Sequence, residues 1–418
     1  MEVRPGYKQT EVGVIPEDWC CAIIRNAAAS KKNSIVGGPF GSDLVAADYV
    51  SQGVPVIRGQ NMSGISVSGD FVFVSEQKAK SLAANLAYAK DLIFTQRGTL
   101  GQVAIIPDSA YPRYVISQSQ MKVSFNEAQY NPDFVRHYFS SPKGQKQIAD
   151  SAIQTGVPHT NLGILRSYKF PAPPILEQHA IAKALSDMDA LLDGLDRLIA
   201  KKHAIKQATM QQLLTGQTRL PRFSGNWDIK RLGDLAHIQR GASPRPIDDP
   251  RWFDERSEIG WVRISDVTSS GMYLNQTTQR LSSDGVAHSR PVDSGSLIMS
   301  ICATVGRPII TNIKICIHDG FVVFDNLSAD KSFIYYILKW IEPNWSKHGQ
   351  TGSQMNLNTG LINSTTINLP PYEEQAAIAT ILSDMDTEIT ALEARRTKTR
   401  ALKLAMMQEL LTGRTRLV

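Results

Sequence analysis

Cysteine is scarce. The chain has four in 418 residues: Cys20, Cys21, Cys302 and Cys316. None forms a CxxC pair, which argues against a zinc cluster or a disulfide framework and leaves them as small buried hydrophobes in a reducing compartment. No apolar run reaches the ~18 residues that cross a bilayer. The opening MEVRPGYKQTEVG lacks the apolar centre of a secretion signal, so the expected place is the cytoplasm, away from any membrane. A GxxxxGK[ST] phosphate loop is missing, so ATP hydrolysis is not expected here. Histidines are dispersed, and none pairs with Cys or another His at a metal spacing. The acids Asp187, Asp189, Asp193 and Asp196 scatter around a helix and read as a solvated face rather than metal ligands. Aromatic residues are 7% of the chain. Trp19, Trp227, Trp261 and Trp340 sit among hydrophobes and read as core rather than as platforms for bases.

What is present is a repeat. Residues 173–220 laid over 370–417 give 26 identities in 48 positions without a gap. The shared text includes Pro173-Pro174 and Pro370-Pro371, Glu177-Gln178 and Glu374-Gln375, LSDMD at 185–189 and 382–386, and LLTG-TRL at the end of each copy. Both copies read as long helices. Prolines are tolerated only at a helix start, and Gly216 and Gly413 suit left-handed C-caps. Apolar residues follow a heptad rhythm: Ile181, Leu185, Met188, Leu192, Leu195 and Ile199 in one copy, Ile378, Leu382, Met385, Ile389 and Leu392 in the other. Matched seams predict that the two helices pack on each other antiparallel, each a rod of roughly 60 Å, with a homodimer through the same seams as the alternative.

The segments before each helix are rich in Gly, Ser, Asn and Val, with short strand-like runs such as VPVIRG (54–59), DLIFTQ (91–96), QVAIIP (102–107), SLIMSI (296–301) and RPIITN (307–312). They correspond in order but not in detail. VPVIRGQN (54–61) answers GWVRISDV (260–267), and DLIFTQRGTLG (91–101) answers SLIMSICATVG (296–306). The expected class is therefore α+β. Two mainly-β domains, 1–172 and 217–369, are separated by long helices, 173–216 and 370–418, in a pseudo-twofold internal repeat. Net charge is +6 with pI near 9.0, which leans toward an anionic partner. Duplex DNA has its own twofold symmetry, and readers of this shape meet half-sites about one turn, ~34–36 Å, apart.

YKQTEVGVIPEDW at 7–19, GGPFGSD at 37–43, IRGQN at 57–61 and the two Pro-Pro…EQ…LSDMD…LLTG-TRL helices together resemble the specificity subunit of a type I restriction–modification system. The resemblance covers essentially the whole chain. It implies two target-recognition domains, each reading one half of a bipartite double-stranded DNA site, with the helices setting the spacing. It also implies that the helices dock methyltransferase subunits, two in number, and that restriction subunits join the full complex. S-adenosylmethionine, ATP and Mg would belong to those partners, with no cofactor and no catalytic residue in this subunit. Consistent with that, the chain has no Asn-Pro-Pro-Phe or Asp-Pro-Pro-Tyr stretch for holding a flipped adenine. The alternatives are a protein-interaction scaffold without DNA readout, and an enzyme with an unrecognised active site.

Bases are read at their edges, where Arg suits guanine, Asn or Gln adenine, and Asp or Glu cytosine; phosphate contacts only position the protein. Side chains of those types in polar, glycine-flanked loops nominate Ser42, Arg58, Gln60, Asn61, Arg97, Thr99, Gln154, Thr155, His159 and Asn161 in the first domain. Matching places in the second give Arg263, Ser265, Asp266, Thr304, Arg307, Gln350, Thr351, Gln354, Asn356 and Asn358, and the loop RGASPRP adds Arg240 and Arg245. Each can equally be a turn residue that satisfies local backbone groups. Arg58 and Arg263 occupy equivalent positions, which points to phosphate contact rather than base discrimination.

Overall fold

A computed structural model describes residues 4–108, 111–154, 156–348 and 357–417. The chain packs into two units, Met1–Asp196 with Ala394–Val418, and Arg197–Glu393, so the division falls inside each long helix. Those helices span Ile175–Leu214 and Tyr372–Leu410.

In the first unit, a four-stranded sheet runs in the order Val103–Ile105, Leu92–Thr95, Gln120–Val123, Ile35–Gly37. A five-stranded sheet runs Tyr49–Val50, Val72–Val74, Val54–Ile57, Tyr114–Ile116, Leu86–Ala87. Its central pair, Val54–Ile57 and Tyr114–Ile116, is parallel while its other neighbours are antiparallel. Every residue of VPVI, LIFT and QMKV is buried, which is why these strands read as unbroken apolar or mixed runs without clean alternation.

The second unit repeats the plan. A five-stranded sheet runs His237–Arg240, Phe321–Asp325, Leu297–Ser300, Pro308–Thr311, Tyr273–Leu274. A four-stranded sheet runs Gln279–Arg280, Gly260–Val262, Ile315–Ile317, Arg290–Val292 and keeps the equivalent parallel pair, Gly260–Val262 with Ile315–Ile317. All five strand-like runs picked from the sequence lie on strands.

Within each unit the start of one long helix lies antiparallel to the end of the other. Asp189 meets Lys403 and Asp196 meets Arg396 at 3.0 Å in the first unit; Lys202 meets Glu388 at 2.7 Å and Lys206 meets Asp386 in the second. The expected helix–helix seam holds for only part of its length. Ile181 and Leu185 belong to the first unit's core with Trp19, Phe134 and Tyr138, and with Met407, Leu410 and Leu411 from the other helix's end. Ile378 and Leu382 stand likewise among Leu213, Leu214, Phe333 and Tyr336. Further along, Leu195, Ile199 and Ile389 are buried, while Met188, Leu192, Met385 and Leu392 are half-buried. The first three turns of each helix are thus domain core as much as spacer.

The repeated text now has a physical cause. Arg416, from the second TRL, grips Glu177 with two bonds of 2.7 and 2.8 Å, and Trp19 Nε1 donates to the same carboxylate at 3.0 Å. Arg219, from the first TRL, grips Glu374 at 2.7 Å twice, and Trp227 Nε1 donates to it at 3.1 Å. Each glutamate is buried and needs a partner charge, which the arginine at the other copy's helix end supplies. The neighbouring glutamines act in parallel. Gln178 accepts from Asn131 N and donates to Pro173 O, as Gln375 does for Asp330 N and Pro370 O. Gly216 and Gly413 cap the helices at φ of 71° and 69°.

Three readings need correction. The cysteines are not all buried: Cys20 is exposed, Cys21 and Cys302 are half-buried, and Cys316 alone among the four is buried. Asp189 is not on a solvated face: it is 7% exposed and is held by Arg136 at 3.5 Å and by Lys403. Trp340 is 37% exposed rather than core, whereas Trp19 and Trp261 are fully buried.

Around Asp189 sits a buried cluster. Arg136 donates to His137 Nε2 at 2.8 Å, and Ser186 Oγ lies 3.1 Å from the same nitrogen. Burial, then the positive charges of Arg136 and Lys403, hold His137 neutral, with its pKa down at about 2. In the second unit the equivalent position is Tyr336, whose hydroxyl donates to Asp386 at 2.8 Å. Because the unfolded chain takes up a proton near pH 6.5 that the folded chain refuses, stability is complete above 6.5 and declines as pH falls below it. We expect denaturation midpoints of the first unit to drop between pH 7 and 5. His137→Tyr, borrowed from the other repeat, should flatten that slope; an unchanged slope would remove His137 as its source.

Candidate nucleic-acid interface

In the first unit four loops meet at one turn, Ser117–Gln120, where the chain passes from one sheet to the other. Gly38 N donates to Gln120 O at 2.9 Å, and Gln118 Nε2 donates to Gly41 O and Leu44 O at 2.8 and 3.1 Å, pinning loop 37–44. Gln96 N donates to Ser119 O at 2.7 Å, and Thr160 N to Gln96 O at 2.9 Å, which brings loops 96–101 and 153–162 together; Arg97 and His159 pair across them. Ser117 N donates to Ile57 O at 3.0 Å, and the Gln120 amide, oriented to satisfy both its ends, accepts from Gly59 N at 3.2 Å. Loop 58–61 therefore joins the same face.

The nominated residues separate by what their polar atoms already do. Ser42, Arg97, Thr99 and Gln154 are exposed on this face, and His159 is half-buried with Nδ1 3.2 Å from Val157 O. Arg58 is half-buried, and its Nε has no hydrogen-bond partner. Gln60 is exposed and donates to Asp70 O at 3.0 Å. Asn61 is 1% exposed and wholly committed: it accepts from Arg58 N and donates to the carbonyls of Ser68 and Asp70, each at 3.0 Å. Asn161 caps the helix Leu162–Ser167 by accepting from Ile164 N at 2.9 Å. Thr155 lies outside the described residues.

The second unit converges on the equivalent turn, His318–Gly320. Gly241 N donates to Phe321 O at 2.9 Å, and Ile301 N to Gly320 O at 2.8 Å. Asp319 stands where Gln118 stands in the first unit and ties the same loop by different chemistry. Its carboxylate accepts from Ser243 Oγ at 2.7 Å and Arg245 Nη2 at 3.1 Å, while its carbonyl accepts from Arg240 Nε at 2.6 Å. Burial would raise the Asp319 pKa, but the Ser243 hydroxyl and the charges of Arg245, His318 and Arg240 outweigh it and hold the carboxyl below its ordinary value. Arg290 Nε donates to Arg240 O at 2.7 Å, and Arg263 Nε to Gln279 Oε1 at 2.6 Å, so this face is rich in guanidinium groups.

Asp266 repeats the part of Asn61: it is 4% exposed, accepts from Arg263 N at 2.9 Å and Thr278 N at 3.1 Å, and is spent on the turn. Asn358 repeats Asn161, capping Thr359–Ser364 through Leu361 N at 2.8 Å. Ser265 is exposed; Thr304 and Arg307 are half-buried beside Ser300, which accepts from Arg307 N at 3.2 Å. Gln350, Thr351, Gln354 and Asn356 lie outside the described residues.

Gln118 and Asp319 escaped the sequence reading. SQSQ and HDGF share no text, and only the strand pairing on either side makes them equivalent. Among the described residues no group of three His, Cys, Asp or Glu is placed to hold a metal ion, and no helix is long and apolar enough to cross a membrane. An apolar cavity of about 320 Å³ is lined by Tyr138, Pro142, Lys143, Leu404, Met407 and Leu411, and none of the nominated residues lines it.

Comparison with known proteins places these features in a family. Residues 43–206 and 224–400 both match the type I restriction modification DNA specificity domain. The putative type I restriction enzyme MjaX specificity subunit of Methanocaldococcus jannaschii is 24% identical over 445 residues, covering 98% of this chain and 96% of that protein. The MjaVIII specificity subunit of the same organism is 26% identical over 63% of this chain and 65% of its own length. Among solved structures, the type I restriction–modification S subunit from M. genitalium superposes with a TM-score of 0.62 at 13% identity, over 98% of both chains, which shows the same fold.

Proposed function

Since the chain belongs to the family of type I restriction modification DNA specificity domains, we propose that it is the non-catalytic subunit that tells a methylating and cleaving complex where to act. The first domain, with limits near 1–172, reads one half of a split double-stranded DNA site, and the second, near 217–369, reads the other. The long helices fix the distance between halves and dock methyltransferase subunits, two by the symmetry of the repeat. Restriction subunits complete the assembly, and S-adenosylmethionine, ATP and Mg belong to these partners. The observation that carries this reading is the paired loop clusters: equivalent turns in the two units, each surrounded by exposed hydroxyl and guanidinium groups, with unlike residues on the two faces. Unlike faces on like scaffolds suit a site whose halves differ. A scaffold without DNA readout has no need of them.

Within each face, Ser42, Arg97, Thr99, Gln154 and His159, and Ser265, Thr304, Arg307, Arg240 and Arg245, are the candidates for bases and phosphates. Arg58 and Arg263 position the backbone. Binding measured across a salt series, with the subunit in complex with its methyltransferase partners, tests this. Arg58→Ala should weaken binding to cognate and non-cognate duplexes alike and reduce the salt slope by about one. Relaxation at a single base pair instead would make Arg58 a base reader.

A further inference from the structure

Loop 37–44 holds something the polar reading does not use. Phe40 is 79% exposed, and Val157, on loop 153–162, is 67% exposed. Both loops are anchored to the Ser117–Gln120 turn, so the rings and methyls stand on the same face as Arg97, Gln118 and Ser42. Phe40 is not on a loose tip. Gly38 packs so tightly against Ser117 that an added Cβ would lie 1.9 Å from its carbonyl oxygen, Gln118 binds the carbonyl of Gly41 immediately after the ring, and Asp43 N donates to Phe40 O at 2.9 Å. A large apolar side chain carried into water on an anchored backbone forgoes burial it would otherwise gain, and its surroundings are hydrogen-bonding groups suited to base edges. In the second unit the same place in the loop is Ser243, turned inward onto Asp319, and two residues later Arg245 reaches outward.

Resting on the proposed reading of DNA, we propose that Phe40 is a specificity-determining residue that contacts the 5-methyl group of a thymine in the half-site read by the first domain. Thymine supplies the one apolar group on a major-groove base edge, and Phe is among the side chains that meet it. Any half-site that carries an adenine carries a thymine on its other strand. At this place in the loop the two halves are then met by different chemistry, apolar contact in the first and the Arg245 guanidinium in the second.

The test uses the subunit in complex with its methyltransferase partners and a duplex bearing the split site. Each thymine of each half is replaced in turn by deoxyuridine, which removes only the methyl. Wild type should lose about four-fold in affinity at one thymine of one half, the scale of a buried methyl group. Phe40→Ala should bind the unmodified site more weakly, show no discrimination between thymine and uracil at that position, and leave the other half unaffected. The inference fails if Phe40→Ala still discriminates, if no thymine in that half is sensitive, or if a Phe40-dependent permanganate-reactive base shows the ring wedged into the stack. It fails equally if Phe40→Ala loses its partner subunits instead of its DNA. Should wild type fail to bind any split site, the proposed function itself is wrong; should wild type bind and Phe40→Ala behave identically, only this inference is.

Discussion

Arg416→Ala should destabilise the first unit by roughly 3 kcal/mol, the scale for breaking a buried ion pair by removing one partner. The side chain of Glu177 is 2% exposed, and Arg416 supplies two of its hydrogen bonds while also binding Asp18 at 2.9 and 2.7 Å. Among the described residues, removal leaves a desolvated carboxylate with Trp19 Nε1 and Leu417 N as its remaining donors, at 3.0 and 3.3 Å. The pair joins residues 239 apart in sequence, so the loss also loosens the C-terminal helix end from the domain it closes. Hydrogen exchange resolved by segment is the right measurement, because two units need not unfold together. Protection should fall in residues 7–19 and 175–190 and persist in 228–369. Replacing both partners by methionine should cost less than the sum of the single changes; additive losses would contradict the pairing. Arg219→Ala should act in the same direction in the second unit.

Gly38→Ala should abolish specific binding while leaving most of the fold intact. The added methyl would lie 1.9 Å from Ser117 O and 2.4 Å from its carbonyl carbon, both backbone atoms of the turn on which the loops converge. Such overpacking costs about 1–3 kcal/mol and shifts backbone, and a shift here moves loops 37–44 and 96–101 together. We expect at least a ten-fold loss on the split site. Gly241→Ala, whose methyl would lie 2.2 Å from His318 O, should do the same through the second unit. Gly194→Ala is the control: nothing lies within 4 Å of the new methyl, and in a helix interior it should stabilise by about 0.5–1 kcal/mol. Equal binding by Gly38→Ala and Gly194→Ala would show that the turn does not organise the interface.

The repeat carried the architecture because ion pairs and caps need particular side chains at particular spacings. Glu177, Gln178 and Arg416 cannot be exchanged for others without leaving a buried group unpaired, so their text stayed the same in both copies. Short buried strands such as LIFT and LIMS were legible for a similar reason, since burial on both faces leaves only apolar or small residues. The interface was harder. Arg58 and Arg263 each donate their backbone N–H to the side chain three residues on, and Asn61 and Asp266, which looked like readers, are spent on that turn, as Asn161 and Asn358 are on helix caps. Asn and Asp serve both purposes, and only the location of their partners separates them. Gln118 and Asp319 were invisible because their role depends on which loops fold over them, a long-range fact with no local pattern. The ends of the helical seams misled in another way. A heptad shows that a face is buried, not what buries it, and at Ile181 and Ile378 the domain core does so.

Sequencing of modified bases in the host genome, with the gene present and deleted, addresses the central claim most directly. The account predicts that methyladenine disappears from one split motif, two short defined halves around a fixed gap, and is unchanged elsewhere. With the methyltransferase subunits expressed, an identical methylation map in both strains would contradict it.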